Sequence, residues 1–335
     1  MWRLIRWCAA LIVLGSIGCA AVIGYIYTQF VIPGPLAGDL VLIVPRGSGV
    51  DAIARLLRTS GVIADETAFR IGVRTLGREK PLLAGEYEFP KGVSAREAME
   101  ILQSGKTVVR RLTIPEGLTS QEILDRLSKT EGLFGSITIH PADGELLPET
   151  YHFSYGDQRD DLVKRMQAAM RDTLEDLWKR KPAGSPYETV RGLVTMASIV
   201  EKETARPDER PRVAGVFVNR LKIGMRLQSD PTVVYALTAG KTSFERALTR
   251  ADLETVSPYN TYLNAGLPPG PIANPGRASL EAALKPAESG DLYFVADGSG
   301  GHAFARTLAE HNQNVARWRA LMKNRPQRTN SEANE

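Results

Sequence analysis

Cysteine is nearly absent from this 335-residue sequence, and both cysteines, Cys8 and Cys19, lie close to the N-terminus. Two cysteines so placed exclude a disulfide framework and a cysteine-based zinc site in the rest of the chain. The four histidines show no H-E-x-x-H spacing, no glycine-rich phosphate loop precedes a helix, and no G-x-S-x-G turn occurs. These absences argue against a metalloenzyme, a nucleotide-dependent enzyme and a serine hydrolase, and we expect no cofactor.

The sequence also has little excess charge of either sign. Lysine and arginine number 42 against 38 aspartate and glutamate residues, which gives a net charge of +4. Nucleic-acid binding is not predicted, because it needs a local basic patch that this balance does not supply. The hydrophobic fraction of 43% and the charged fraction of 24% are typical of globular chains, and the length suggests about two domains.

Charge is missing altogether from the apolar stretch 7–27. A helix of about 20 apolar residues spans the hydrocarbon core of a bilayer. Arg3 and Arg6 precede the stretch and no basic residue follows it closely, so the positive-inside rule predicts a cytoplasmic N-terminus and an exported remainder. The alternatives are a cleaved signal peptide and a lipoprotein-type site before Cys19. The length of the apolar stretch favours a retained anchor over both.

A pattern of strand end, Pro-x-Gly turn and amphipathic helix occurs three times after the anchor. Strands are predicted over 40–45, 84–89 and 107–114. Capping boxes are predicted where Ser94 precedes Glu97 and where Thr119 precedes Glu122. The three units are unequally spaced, which excludes a solenoid. The pattern predicts a compact α+β module of βααβ type over 40–108, and the third unit opens the next domain.

The helix predicted over 187–204 places Glu201 on a stripe of apolar positions that is typical of core residues. A carboxylate in such a position must be paired, or desolvated with a raised pKa, or located at the edge of a cleft. A raised pKa suits a general acid, whereas periodicity alone favours a salt-bridged or helix-end glutamate that reaches water. Glu203 lies on the opposite stripe. Because the helix is apolar on more than one side, periodicity does not separate the two glutamates.

Several long segments resemble the endolytic murein transglycosylase family, also called YceG-like. In chain order they are IPEGLT (114–119), LPETY (147–151), ASIVEKET (197–204), VFVNRLKIGMRLQSDPTVVYAL (216–237), SPYNTY (257–262), GLPPGPIANPG (266–276) and LYFVADGSGGHAF (292–304). With the anchor and the small module, the resemblance covers nearly the whole chain except the tail after about Asn324. The chain has Asp143-Gly144 where the family usually has Glu-Gly, which leaves the role of that carboxylate open.

The resemblance implies an α+β chain with a single N-terminal transmembrane helix, a small LysM-like βααβ module and a larger mixed α/β catalytic domain. The expected segments are a cytoplasmic tip and anchor at 1–30, a linker at 31–39, the LysM-like module at 40–108, the catalytic domain at 109–323 and a polar tail at 324–335. The module is interpreted either as a glycan binder or as a spacer. The implied location is the bacterial cytoplasmic (inner) membrane, with a single pass and the bulk of the chain in the periplasm or otherwise outside the cytoplasm.

The resemblance also implies the chemistry, which is cleavage of the β-1,4 bond between N-acetylmuramic acid and N-acetylglucosamine inside peptidoglycan strands. No water is consumed, and the product ends in a 1,6-anhydromuramyl residue. Glu201 matches the catalytic residue of the family. One carboxyl group suffices because the C6 hydroxyl of the sugar is the nucleophile, whereas an ordinary glycosidase needs two. Partners implied are the glycan strands and glycan-polymerising cell-wall synthases, beside which the enzyme would end strand elongation.

Five residues within the resembling segments are candidates for substrate contact: Asn219, Gln228, Asp230, Tyr259 and Asn260. Amides can hydrogen-bond acetamido groups, and aromatic faces suit sugar rings, although tyrosines more often pack in a core. Asp230 before Pro231 is also typical of a helix N-cap. Two alternatives for the whole chain remain, a non-catalytic membrane-tethered peptidoglycan-binding scaffold and a hydrolytic muramidase.

Overall fold

The computed structural model describes residues 2–323, so the predicted polar tail at 324–335 lies outside the described residues. The chain divides into two compact units. The first runs to Arg111 and includes His152–Asp157, and the second comprises Leu112–Tyr151 and the chain from Gln158 onward. Helices and strands are mixed in the chain, as the sequence predicts.

The first element is a long helix, α1 (Trp2–Val31), whose stretch Ile5–Val31 is long and apolar enough to cross a membrane. This finding confirms a single N-terminal apolar helix among residues 2–323, and the helix extends beyond the predicted 7–27 at both ends. Most of its side chains are exposed, but Phe30 is only 1% exposed and belongs to the core of the first unit. The helix is therefore continuous with the packed module that follows it.

Two strands and three helices follow in the first unit: β1 (Leu40–Val44), α2 (Val50–Thr59), α3 (Glu66–Thr75), β2 (Gly85–Phe89) and α4 (Ala95–Ser104). The order β1-α2-α3-β2 is the predicted strand-helix-helix-strand order. The two strands are antiparallel, with Leu40 opposite Phe89 and Val44 opposite Gly85. The fully buried Leu57 of α2 packs in the same core as Phe89, as expected for the apolar face of an amphipathic helix.

The remaining elements are β3 (Val109–Thr113), α5 (Ser120–Ser128), β4 (Thr150–Ser154), α6 (Arg159–Lys179), α7 (Val190–Glu203), α8 (Arg210–Lys222), α9 (Asp230–Thr238), α10 (Arg250–Leu253), α11 (Arg277–Leu284), β5 (Tyr293–Ala296), β6 (His302–Ala305) and α12 (Leu308–Lys323). The strands pair in twos, β3 with β4 and β5 with β6. Both predicted capping boxes are present, at the start of α4 and of α5.

Helix α7 lies at the centre of the second unit, where it packs on α8 and α11. Every residue from Leu193 to Val200 is buried. A helix that is apolar on all sides must be surrounded by other elements, which explains why periodicity gives no single face for it. Its last turn, which carries Glu201 and Glu203, lies at the end of this core, where the helix is only partly buried.

Candidate active site

Glu201 lies in the last turn of α7 with a side chain that is only 5% exposed. Its Oε1 accepts a hydrogen bond from Nη2 of Arg210 at 3.0 Å, and its Oε2 accepts one from the main-chain nitrogen of Gly276 at 2.9 Å. Of the three arrangements open to a buried carboxylate at this position, the structure shows the paired one. Because each oxygen has its own donor, the carboxyl group is held in one orientation.

Gly276 is the N-cap of α11, so the carboxylate of Glu201 meets the positive end of that helix. A negative charge in the last turn of α7 is disfavoured by the dipole of its own helix. The N-terminus of α11 and the guanidinium of Arg210 offset that cost. The carboxylate of Glu201 is therefore stabilised by groups that lie later in the chain than its own helix.

Arg210, the first residue of α8, contacts a second carboxylate as well. Its Nη2 donates to Oε2 of Glu116 at 3.0 Å, and its own side chain is 9% exposed. Because both carboxylate oxygens lie 3.0 Å from the same nitrogen, they are at most about 6 Å apart. The Nε of Arg210 is buried and has no hydrogen-bond partner within the described part of the chain. Glu116 is 39% exposed and belongs to the Pro-x-Gly turn after β3.

The next residue of that turn, Gly117, lies against the last turn of α7. Its carbonyl oxygen accepts a hydrogen bond from Nζ of Lys202 at 3.2 Å. A Cβ atom at Gly117 would lie 3.5 Å from Cγ of Glu201. Its φ of +78° also favours glycine. The IPEG segment thus supplies both a carboxylate and a close backbone contact to the site.

Asn274 is fully buried and ties three segments around the site together. Its Oδ1 accepts hydrogen bonds from the main-chain nitrogens of Gly144 and Leu146, both at 3.0 Å. Its Nδ2 donates to the Leu118 carbonyl at 3.0 Å and to Oγ of Ser120 at 3.1 Å. Every side-chain hydrogen-bonding position of this amide that the structure describes is in use. Asn274 therefore fixes the ANPG loop, and with it Gly276, against the IPEG turn.

Asp143 makes contacts that explain its place before the LPETY segment. Its Oδ1 accepts a hydrogen bond from the main-chain nitrogen of Ser120 at 2.6 Å, and its Oδ2 accepts one from the hydroxyl of Tyr235 at 2.7 Å. Burial and this hydrogen bond raise the pKa of Tyr235 above its usual range. The aspartate thus connects the start of α5 to α9.

Glu203 lies two residues beyond Glu201 and has different partners. Its Oε1 accepts a hydrogen bond at 2.5 Å from Oγ of Ser229, which is 1% exposed. Burial raises the pKa of Glu203 to about 7, and the hydrogen bond from Ser229 opposes that rise. The two glutamates that periodicity does not separate are therefore distinguished by their contacts, because Glu201 has a cation and Glu203 has a buried hydroxyl.

A groove of about 570 Å³ opens beside Lys202, the neighbour of Glu201. Its lining includes the aromatic side chains of Tyr235 and Phe244 and the charged groups of Asp230 and Arg246. Its volume is in the range of small-molecule sites. The mixture of aromatic and polar groups can accept a ligand that has both apolar faces and hydroxyl groups.

Three of the five candidate substrate contacts are placed at or near exposed surface. Asp230 is exposed, lines the groove and accepts a 2.6 Å hydrogen bond from the Tyr262 hydroxyl. Gln228 is exposed and has a φ of +50°, which is strained for this residue type. The half-buried ring of Tyr259 lies 4.7 Å from the ring of Tyr235. Ser229, and not Asp230, is the N-cap of α9, so the helix cap lies one residue earlier than its Asp-Pro pair indicates.

The other two candidates have their amide hydrogens engaged inside the protein. Asn219 donates to the carbonyl oxygens of Ser289 and Asp291 at 2.7 and 3.0 Å. Asn260 has no exposed surface and donates to the carbonyl oxygens of Leu253 and Thr255, while its Oδ1 accepts from the nitrogen of Tyr262. Both amides hold loops together in this structure. Substrate contact by any of the five stays a prediction.

Four residues around Glu201 have no assigned role at the level of sequence: Glu116, Arg210, Asn274 and Gly276. Three of them lie in the IPEGLT and GLPPGPIANPG segments. The sequence therefore marks these positions as parts of resembling segments, but it does not show what each residue contacts. Arg210 lies between two resembling segments and carries no such signal. Only the three-dimensional arrangement brings it to Glu201.

Comparison with known proteins gives consistent matches. The sequence model of the YceG-like family matches residues 42–317. A protein of Bacillus subtilis (strain 168) named endolytic murein transglycosylase is 37% identical over 302 residues, which cover 81% of this chain and 82% of the relative. A protein of the same name from Streptococcus pneumoniae serotype 2 is 30% identical over 345 positions, which cover 88% of this chain.

The chain spans 62% of the length of that streptococcal relative. A crystal structure of a YceG-like protein from Listeria monocytogenes is 34% identical, with a TM-score of 0.50, and the match covers 83% of this chain and 99% of the other. The family match at 42–317 includes Glu201 and the residues that surround it.

Proposed function

Because the chain belongs to the YceG-like family, we propose that it is a peptidoglycan lytic transglycosylase that cleaves strands internally, with Glu201 as general acid and base. The bond cleaved is the β-1,4 linkage from N-acetylmuramic acid to N-acetylglucosamine. The observation that carries this proposal is a nearly buried carboxyl group whose two oxygens are separately held by Arg210 and Gly276 at the edge of the catalytic unit.

The proposed reaction balances without water. The protonated carboxyl of Glu201 gives its proton to the glycosidic oxygen as the bond from that oxygen to C1 of the muramyl sugar breaks. The C6 hydroxyl oxygen of the same sugar bonds to C1, and its proton passes to the Glu201 carboxylate. The leaving strand keeps a free 4-hydroxyl group, the other strand ends in 1,6-anhydromuramic acid, and Glu201 is again protonated.

The surroundings of Glu201 support this cycle. The carboxylate that exists between the two proton transfers is stabilised by Nη2 of Arg210 and by the main-chain nitrogen of Gly276, which are already in place. The nucleophile is held on the sugar itself, which gives a large proximity advantage. The groove beside Lys202 has the volume and the aromatic lining for a saccharide, and Asp230 in its wall is the best-placed candidate contact.

The apolar helix α1 supports anchoring in the cytoplasmic membrane, with the N-terminus inside and the catalytic unit on the side where peptidoglycan is polymerised. We extend the proposal to the βααβ module, as a LysM-like element that either binds glycan or spaces the catalytic unit from the bilayer. In that position the enzyme would cut nascent strands near cell-wall synthases and so end their elongation.

A hydrolytic muramidase is the second candidate, and Glu116 is the observation that favours it. Two carboxylates at most about 6 Å apart are near the separation found in glycosidases that use a carboxylate pair. In a hydrolase, water would take the place of the C6 hydroxyl. The two reactions differ by one water in the product.

The test is incubation of the full chain in detergent with purified peptidoglycan strands, followed by mass spectrometry of the fragments. The proposal expects 1,6-anhydro ends from the unchanged protein and none from Glu201→Gln. Reducing ends that are heavier by one water would instead identify the muramidase. If the strands stay intact with both proteins, the transglycosylase and the muramidase hypotheses are both wrong, and the non-catalytic peptidoglycan-binding scaffold is the hypothesis that remains.

A further inference from the structure

We propose that Glu116 is a positioning residue that acts through Arg210, by serving as the counter-ion of this arginine while Glu201 carries a proton. The inference rests on the proposed role of Glu201. Its structural basis is the single Nη2 atom that lies 3.0 Å from a carboxylate oxygen of each glutamate.

The requirement for such a residue follows from the charge of Glu201 during the reaction. A general acid must be neutral before the glycosidic bond breaks and negative afterwards. The Arg210 guanidinium stays positive throughout, and its side chain is 9% exposed. A nearly buried cation without a carboxylate partner is costly. If Glu201 were its sole partner, protonation of Glu201 would leave the cation unpaired, so the acid form would be disfavoured.

The geometry removes this conflict. Glu116 is 39% exposed, so water solvates its carboxylate while it pairs with Arg210. Because Nη2 is divided between two carboxylates, Glu201 receives one hydrogen bond from Arg210 in place of a two-pronged one. The buried Nε of Arg210 has no hydrogen-bond partner within residues 2–323, so Arg210 does not bind either carboxylate through both Nε and Nη2. Arg210 can thus stabilise the Glu201 carboxylate without locking it in the charged form.

Other charged groups near Glu201 come from each element packed around it. On α7, Lys202 donates to the Gly117 carbonyl at 3.2 Å. At the start of α11, Arg277 contacts Asp176 at 3.4 Å and Glu281 at 3.7 Å. Both cations thus have partners of their own. Among the contacts that the structure describes, Arg210 and Glu116 are the charged pair in direct connection with Glu201.

The test is the pH dependence of kcat for Glu116→Gln and Glu116→Asp, with Glu131→Gln as a control of equal charge change at an exposed site. Without the charge of Glu116, Arg210 pairs with Glu201 alone and favours its ionised form. We expect Glu116→Gln to lose about tenfold in kcat at neutral pH. The alkaline limb of the pH profile of kcat for Glu116→Gln should move to lower pH. At acidic pH the activity of this variant should therefore approach that of the unchanged protein. Glu116→Asp keeps the charge and should restore the original limb.

A loss by the same factor at every pH would show a merely structural role and overturn the inference, as would an unchanged profile. Thermal unfolding of each variant separates loss of folding from loss of the charge, and Glu116→Asp remains informative if the glutamine variant does not fold. Glu201→Gln is measured in parallel. If Glu201→Gln is active, the proposed acid and base role of Glu201 is wrong, and this inference is wrong with it. If it is inactive and Glu116→Gln shows no shift, this inference alone is wrong.

Discussion

The main-chain nitrogen of Gly276 lies 2.9 Å from Oε2 of Glu201, across 75 residues of sequence. The backbone of Gly276 is extended, with φ −74° and ψ 166°, so its conformation is open to any residue. A Cβ atom there would lie 1.7 Å from Oε1 of Glu116. A side chain at position 276 would therefore force the Glu116 side chain out of its present position, whereas the backbone conformation itself makes no demand for glycine. Its lack of a side chain lets the N-terminus of α11 and both carboxylates come together.

Gly276→Ala should lower kcat by about tenfold or more, because the methyl group must displace the Glu116 side chain from Arg210 beside Glu201. Stability should change little, since alanine adopts this backbone conformation without strain. Gly49→Ala is a matched control, because Gly49 is an N-cap with the same φ and ψ, and a methyl group on it would meet no atom within 4 Å. Equal activity of the two variants would contradict the crowding argument.

Glu201→Gln should reduce kcat by about 10²–10⁴-fold, the usual contribution of a general acid or base. Glu203→Gln should keep most of the activity, because that side chain is bound to the buried hydroxyl of Ser229. Release of anhydro ends from defined strands measures both. The reverse result would transfer the acid role to Glu203, whose pKa of about 7 would suit it.

Glu203 should make stability depend on pH. Burial raises its pKa from 4.5 to about 7 in the folded state, so the folded chain binds a proton that the unfolded chain has released over that interval. The stabilisation is complete below about pH 4.5 and is lost as the pH rises to about 7, a change of about 3 kcal/mol. Denaturation of the unchanged protein and of Glu203→Gln at several pH values measures it. The free energy of unfolding of Glu203→Gln, relative to that of the unchanged protein, should rise as the pH rises. A difference that does not change with pH would show that the protonation of Glu203 is not coupled to folding.

Asn274→Ala should lower the free energy of unfolding by about 3 kcal/mol. The change strands buried main-chain donors at Gly144 and Leu146, and each unsatisfied group costs about 1–3 kcal/mol. Activity should fall as well, because Gly276 loses its fixed position. Chemical denaturation is the measurement, and Asn312→Ala on the exposed face of α12 is the control. Similar stabilities for both variants would show that the amide does not brace the loops.

Local patterns predict much of the fold. Strands β1, β2 and β3 begin and end within two residues of their predicted bounds, because alternation and Pro-x-Gly turns are local signals. The capping boxes at Ser94 and Thr119 need only four consecutive residues, and both are confirmed. The N-cap of α9 is displaced by one residue, to Ser229, since an Asp-Pro pair marks a helix start without fixing which residue caps it.

The site is less predictable for a physical reason. Periodicity places Glu201 at a buried position and leaves three arrangements open for its carboxylate, of which pairing is one, and it does not name a partner. Arg210 and Gly276 reach it through packing of α8 and α11 on α7, which no local pattern encodes. Asn260 shows a second limit of sequence patterns, because its place in a resembling segment does not distinguish a substrate contact from a structural role. In the structure this amide has no exposed surface and holds its own loop together.

Phe30 belongs both to the apolar helix α1 and to the core of the first unit, where a Cβ atom on Gly72 would lie 2.2 Å from its ring. A fragment designed to be soluble by starting after residue 31 would lack that ring and leave a cavity in the module. Loss of a buried phenylalanine side chain costs about 3–5 kcal/mol. Cleavage of the chain after residue 31 would carry the same penalty, so removal of the apolar helix and integrity of the module are coupled, and a shortened fragment should begin upstream of Phe30.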